Sequence, residues 1–245
     1  MHLKLFLFFS LFFSTSTELL SSELSSLAKK ELNQAIREYL LENPEVIFEA
    51  IEVFEKKQQK LKDFFEEKLI NENIDALLLD EFSYVGGNKK GSVTIVEFID
   101  YKCGYCKKAH QDISLILKEN KDLRYIVKEL PILGKESILA AKFAIAIFIS
   151  EGDEKYKLFN NILLNFSGPI TTDSLKYMVR RAGVITEDIE VKANSATIQK
   201  IISNNKILAR NLRIAGTPTF VIGNKIIRGY KSKVSLEEII NSIKQ

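Results

Sequence analysis

Across residues 23–41, Leu24, Leu27, Leu32, Ala35, Ile36, Tyr39 and Leu40 recur at the three- and four-residue spacing of a helix. Asn43-Pro44-Glu45 then reads as a stop and a restart. Asn43 is placed as N-cap, Pro44 at the first helical position and Glu45 as an acid in the first turn. The pattern predicts a second helix towards Leu79, with an interruption left open near residues 71–73. On it Ile47, Ile51, Phe54, Gln58, Leu61, Phe65 and Lys68 alternate spacings of four and three, among densely charged neighbours. Such a heptad-like seam, blunted by Gln58 and Lys68, calls for a partner. Residues 17–80 are accordingly expected to form a helical stalk that makes a homo-oligomer, a dimer or a trimer. The alternative is an amphipathic helix folded back on its own domain.

Beyond the stalk the period changes. A short strand is predicted over residues 82–85 and a glycine-rich turn over residues 86–91. Val93-Thr94-Ile95-Val96-Glu97-Phe98-Ile99 is an apolar, β-branched run that fits a buried strand. A helix over residues 104–118 and a strand over residues 123–129 complete a β-α-β unit, whose crossover should be right-handed. Helical patterns follow over residues 137–149, 155–165, 172–182 and 194–212, broken at Gly152 and Gly168-Pro169. A hairpin is expected from Thr219 to Ile227 around Gly223-Asn224, and a closing amphipathic helix over residues 236–243.

Composition adds boundaries rather than chemistry. The 245 residues carry 35 basic and 32 acidic side chains, a near-balance that gives no reason to invoke nucleic acid. Residues 1–16 combine a weakly basic start, an apolar run over residues 5–13 and small residues at Ser14-Thr15-Ser16. That pattern reads as a signal peptide, too short to span a bilayer, or as an uncleaved anchor. Export, to the periplasm if the source is a Gram-negative bacterium, would place cysteines where disulfides persist.

Only two cysteines occur, and they fall three apart as Cys103-Gly104-Tyr105-Cys106. Random placement would produce that spacing about one time in a hundred, and a C-x-x-C after a strand reads as a redox motif. Cys103 would sit at a helix N-terminus, where unpaired N–H groups and the helix dipole favour a thiolate. Lys102, Lys107 and Lys108 would add positive charge. Cys103 is expected to be the accessible nucleophile and Cys106, one turn on, the more buried resolving thiol. Zinc needs about four ligands, and besides the two cysteines the chain offers only His2 and His110, so no metal or other cofactor is assigned. Cu(I) held by the two thiolates stays open, because it accepts low coordination by sulfur.

The order β-α(C-x-x-C)-β, helices, Gly216-Thr217-Pro218, β-β-α resembles the thioredoxin fold, and more closely the DsbA family, in which a helical subdomain is inserted. The expected architecture is thus α/β: a DsbA-like thioredoxin domain over residues 81–245, with a helical insertion at about 135–212, behind the N-terminal helical oligomerisation segment. Glu42-Asn43-Pro44-Glu45-Val46-Ile47 resembles the oligomerisation helices of that family's copper-sensitivity suppressor C branch. The resemblance implies a cis Thr217-Pro218 bond packed against the redox pair, with Thr217, Pro218 and Tyr105 holding an unfolded client by strand addition. Glu97, a carboxylate inside an apolar strand, should have a raised pKa and serve as a proton relay to Cys106; the alternative is a solvated edge residue. The function so implied is an exported protein disulfide oxidoreductase or isomerase acting on unfolded or misoxidised exported proteins, recharged by a membrane redox partner. Gly-Tyr between the cysteines and Thr before the proline lean towards isomerase, and the redox state of the pair in cells decides between the two. Cu(I) handling and a non-redox chaperone scaffold are the other readings.

Overall fold

The computed structural model describes residues 11–244. The leader expected over residues 1–16 falls largely on residues 1–10, outside the described residues. The chain divides into two compact units, residues 1–61 and 62–245.

The first unit holds α1 (Leu11–Glu42) and the first part of α2 (Glu45–Glu72). Asn43 ends α1 rather than capping α2 with its side chain. Its backbone N–H and its side-chain amide both donate to the Tyr39 carbonyl, at 2.8 and 2.9 Å. The carbonyl of Asn43 then accepts from the Val46 N–H at 3.2 Å and starts the next helix. Among the described side chains of residues 26–61 none is buried. Leu27, Leu32, Ile36 and Tyr39 on α1 and Ile47, Ile51, Phe54 and Leu61 on α2 are all exposed. Phe48 and Val53, off the expected seam, are exposed as well, so the apolar surface is wider than a narrow heptad stripe.

The second unit is a five-stranded sheet covered on both faces. In chain order it comprises α3 (Ile74–Leu78), β1 (Tyr84–Gly87), β2 (Val93–Ile99), α4 (Gly104–Glu119), β3 (Leu123–Glu129), α5 (Lys135–Leu164), α6 (Thr172–Arg181), α7 (Thr186–Ala193), α8 (Ala196–Asn211), β4 (Thr219–Ile222), β5 (Lys225–Arg228) and α9 (Lys233–Lys244). The sheet order is β1-β3-β2-β4-β5, with β2 and β3 parallel and the other pairs antiparallel. In β2, Ile95 and Ile99 face a core shared with α4, α5, α6 and α9, while Val96 and Phe98 face a second core. Burial on both sides explains why this strand reads as a near-continuous apolar run.

That second core moves the boundary drawn from sequence. Ile70 of α2 and Leu77 of α3 are buried with Phe98, Ile126, Leu208 and Val221. Arg228 also pairs with Glu66 at 2.5 Å. Residues 62–80, assigned by sequence to the stalk, therefore pack on the back of the sheet, and α2 breaks at Asn73 where the pattern left an interruption open. Gly86 and Gly87, expected in a turn, lie in β1; Gly87 has φ +64°, and a Cβ there would meet the Leu123 carbonyl at 2.3 Å. Gly152, at φ +77°, bends α5 where the sequence placed a break. Thr171 caps α6 in a reciprocal pair with Ser174. Helix α7 was not anticipated; eight residues with Ile189 and Ala193 buried give too short a period to stand out.

Candidate redox site

The turn from β2 into α4 puts both cysteines beside Thr217-Pro218. Cys103 is the N-cap residue of α4, and its Sγ accepts from the Cys106 N–H at 3.4 Å. Asp100 fixes that turn: its carbonyl accepts from the Cys103 N–H at 3.0 Å and its carboxylate from the Lys102 N–H at 2.8 Å. The Cys103 side is less open than expected. Cys103 is 8% exposed and Cys106 1%, so access is graded in the expected order but only a rim of Cys103 meets solvent.

The two sulfurs differ sharply in acidity. Cys103 is lowered to about 6, first by the hydrogen bond from the Cys106 thiol, against the cost of burial, with Thr217 and the backbone N–H groups of Cys106 and Tyr105 adding to it. Cys106 is pushed far above an ordinary thiol by that same bond, by burial and by the nearby Glu97. The three lysines are occupied elsewhere: Lys102 pairs with Glu136 at 3.0 Å, Lys107 donates to the Phe166 carbonyl, and Lys108 lies 4.4 Å from the centre of the Tyr230 ring. Hydrogen bonds at the helix start, not lysine charge, lower Cys103.

The Thr217-Pro218 peptide bond is cis. The Thr217 carbonyl lies 3.1 Å from Cys103 Sγ and accepts from it while the thiol is protonated, so one of the main-chain groups expected to meet a client is engaged with the sulfur in that form. Tyr105 is 64% exposed and stacks on Tyr230 with ring centres 6.1 Å apart. Tyr230 in turn donates to Asp112 at 2.7 Å. Sequence reasoning missed Tyr230, which lies 125 positions from Tyr105 with no motif around it. His110, four residues after Cys106, bonds Asn161 of α5 at 3.0 Å, and burial lowers its pKa.

Glu97 is buried, not a solvated edge residue: it is 1% exposed and accepts from the Tyr125 hydroxyl at 2.5 Å. Burial raises it to about 8, opposed by the Tyr125 bond and reinforced by Cys103. A second buried carboxyl went unseen in the sequence. Glu129 Oε1 accepts from Tyr101 at 2.6 Å and Tyr156 at 2.7 Å, Asn160 supports both hydroxyls, and Oε2 has no partner among the described residues. Burial raises Glu129 to about 8 as well. A folded carboxyl that keeps its proton to about 8, against about 4.3 when unfolded, makes the folded state hold more protons between those values. Stability should therefore fall as pH rises from about 5 to about 8. Glu129→Gln should remove part of that slope and gain on the order of 2 kcal/mol at pH 8 relative to the native chain. Urea unfolding at both pH values checks this; an unchanged slope would show that Glu129 is ionised in the folded state.

Sheet order, helical insertion and the placing of the two cysteines beside a cis-proline define a thioredoxin fold of the DsbA type. Residues 80–242 match the family model described as thioredoxin, and residues 29–60 match the N-terminal domain of the copper resistance protein ScsC. The chain belongs to the thioredoxin family, as a DsbA-like member with an ScsC-type N-terminal segment. Among solved structures it is similar to the thiol-disulfide exchange protein alpha-DsbA2 of Wolbachia pipientis, at 29% identity and a TM-score of 0.70 over 75% of this chain and 98% of that one. It is also similar to a linker-deleted ScsC of Proteus mirabilis, at 27% identity and a TM-score of 0.68 over 87% and 93%. A Rickettsia typhi protein named as a protein-disulfide oxidoreductase is 28% identical over 62% of this chain and 58% of its own length. Less than two thirds of that relative is thus spanned.

Proposed function

We propose that the chain is an exported thiol–disulfide oxidoreductase that exchanges disulfides with unfolded or misoxidised client proteins through Cys103 and Cys106. The observation that carries this reading is the placing of one sulfur pair at a helix start, with Cys103 Sγ accepting from the Cys106 N–H at 3.4 Å beside the cis Thr217-Pro218 bond, an arrangement that favours a thiolate at Cys103 and a thiol at Cys106. When the pair is oxidised, a client thiolate attacks Cys103 Sγ, the Cys103–Cys106 bond breaks, and Cys106 leaves with the electron pair. A bare thiolate is strongly disfavoured at Cys106, so the departing sulfur takes the proton of Glu97. A second client thiolate then attacks the client sulfur of the mixed disulfide and Cys103 leaves as a stable thiolate; the client is oxidised and the pair reduced. Run backwards, the same steps reduce a client disulfide, and an isomerase uses both directions.

Tyr105, with Thr217 and Pro218, forms the client contact, and Tyr230 extends its aromatic surface. The exposed apolar residues of α1 and α2 support assembly of two or three chains, with residues 26–61 as the contact. The apolar run of residues 5–13 supports export. Reoxidation or reduction of the pair between turnovers falls to a membrane redox partner. Among the described residues no helix is long and apolar enough to cross a membrane.

Cys106→Ala separates the roles of the two thiols. It should trap a client on Cys103 as a mixed disulfide, visible on a non-reducing gel and released by reductant. The thiolate absorbance at 240 nm should titrate above the native value of about 6, because the bond from the Cys106 thiol is gone. No trapped species, or an unshifted midpoint, would overturn the assignment of Cys106.

A further inference from the structure

Once Glu97 has given its proton away, it is a buried carboxylate that must regain one before the next cycle. It has no exposed surface through which to do so, being 1% exposed and paired across the sheet with Phe220 on one side and Val127 on the other. Its hydrogen-bond partner among the described residues is the Tyr125 hydroxyl. Tyr125 also lines a cavity of about 430 Å³ bounded by Tyr84 and Gly87 of β1, by α4 at His110, Ile113 and Ser114, and by α5 at Asn160 and Asn161.

We propose that Tyr125 and this cavity form the route by which Glu97 exchanges its proton with solvent, with Tyr125 as the positioning residue. The inference rests on the redox reading of Cys103 and Cys106. In the step itself, a water in the cavity, protonated by solvent or buffer acid, gives a proton to the Tyr125 oxygen. The original hydroxyl proton of Tyr125 passes to the Glu97 carboxylate at the same time. One proton enters, one moves on, and the phenol ends neutral. The reverse sequence empties Glu97 when Cys106 has been deprotonated.

The surroundings favour a phenol that relays without ionising. Burial and the Glu97 charge raise Tyr125 well above an ordinary phenol, with Tyr84 and Cys106 adding to this. The titratable groups acting on Glu97 are Cys103 of α4 and Tyr125 of β3, and Glu97 acts in turn on Cys106. The lining residues include no carboxylate; its ionisable groups are His110, Lys118, Lys121, Lys157 and the two tyrosines, while Asp153 and Glu154 act on Tyr84. No acidic side chain thus competes with Glu97 for the proton along the lining. A tyrosine hydroxyl suits the task because it donates and accepts at one atom. The cavity is large enough for several waters at about 30 Å³ each.

The test takes the full-length chain through repeated cycles with a peptide thiol as substrate and oxidised glutathione as oxidant, and compares the first turnover with the later ones, quenched by acid and alkylation. Glu97, at about 8, starts protonated at pH 7, so Tyr125→Phe should leave the first Cys106 release near the native rate and slow the later turnovers about tenfold. Imidazole, small enough to enter the cavity, should restore the rate, while the Cys103 thiolate still titrates near 6. Ser114→Trp, which fills the cavity mouth without touching Glu97, should give the same slowing should the Phe variant fold poorly. Native later-turnover rates in both folded variants, or a slowing in Tyr125→Phe that imidazole does not relieve, would overturn the route. A native chain that performs no exchange at all would instead sink the redox reading on which the route depends.

Discussion

Exchange with a disulfide substrate should fall to the uncatalysed background when Cys103 is replaced by serine, with the fold retained. A serine hydroxyl stays protonated at any working pH, whereas Cys103, at about 6, is about nine-tenths thiolate at pH 7. An ordinary thiol at about 8.5 would be only a few per cent ionised, so the site holds on the order of thirty times more nucleophile. Part of that advantage is offset, since a more acidic thiol is intrinsically less nucleophilic. The native rate should rise through pH 6 and level off above pH 7, following Cys103. Insulin reduction measured for Cys103→Ser and the native chain from pH 5 to 8 checks both claims. Retained activity in the serine variant would remove the mechanism, and a rise centred near 8.5 would remove the low Cys103 pKa.

The second large effect lies in the first unit. Replacing Ile51 and Phe54 with aspartate should convert an oligomer of the native chain into single protomers, read as mass by light scattering. Both side chains are exposed, at 48% and 61%. Burying one such side chain against a partner is worth about 1.5–3 kcal/mol. Losing two per protomer, and adding two charges that would have to be desolvated, exceeds what a modest interface supplies. Exchange with a small disulfide should persist in the variant, because the sulfur pair and its hydrogen bonds all lie within residues 62–244. A native chain that already scatters as one protomer would end the oligomer reading.

Much of the second unit was legible because its strands are short, β-branched and bounded by turn residues. Val93–Ile99, Leu123–Glu129 and Thr219–Ile222 occupy the expected positions. The cis Thr217-Pro218 bond lying against Cys103 was legible too, since two motifs in a fixed order leave few alternatives. What sequence hid was mostly partnership. Glu129 is an unremarked residue at a strand end until Tyr101, Tyr156 and Asn205, up to 76 positions away, close around it. Lys128, beside it, reads as a surface cation, yet it is buried on the opposite face, where it donates to the Ala76 carbonyl at 2.7 Å and pairs with Asp80. Those contacts also explain the misplaced boundary: the amphipathic period of α2 runs unbroken through residue 61, and only the sheet decides which half finds a core.

Asp100 carries a consequence of a different kind. One of its carboxylate oxygens holds the turn before Cys103, and the other accepts the backbone N–H groups of Ile132 and Leu133 at 2.8 and 3.0 Å. The nucleophile's turn and the entrance to the inserted helices are thereby joined through one side chain. A shift at the entrance to the inserted helices therefore loads the same joint that aims the sulfur. Mechanical coupling between the insertion and the sulfur pair is thus built in at one residue, whose backbone also bonds the Cys106 sulfur.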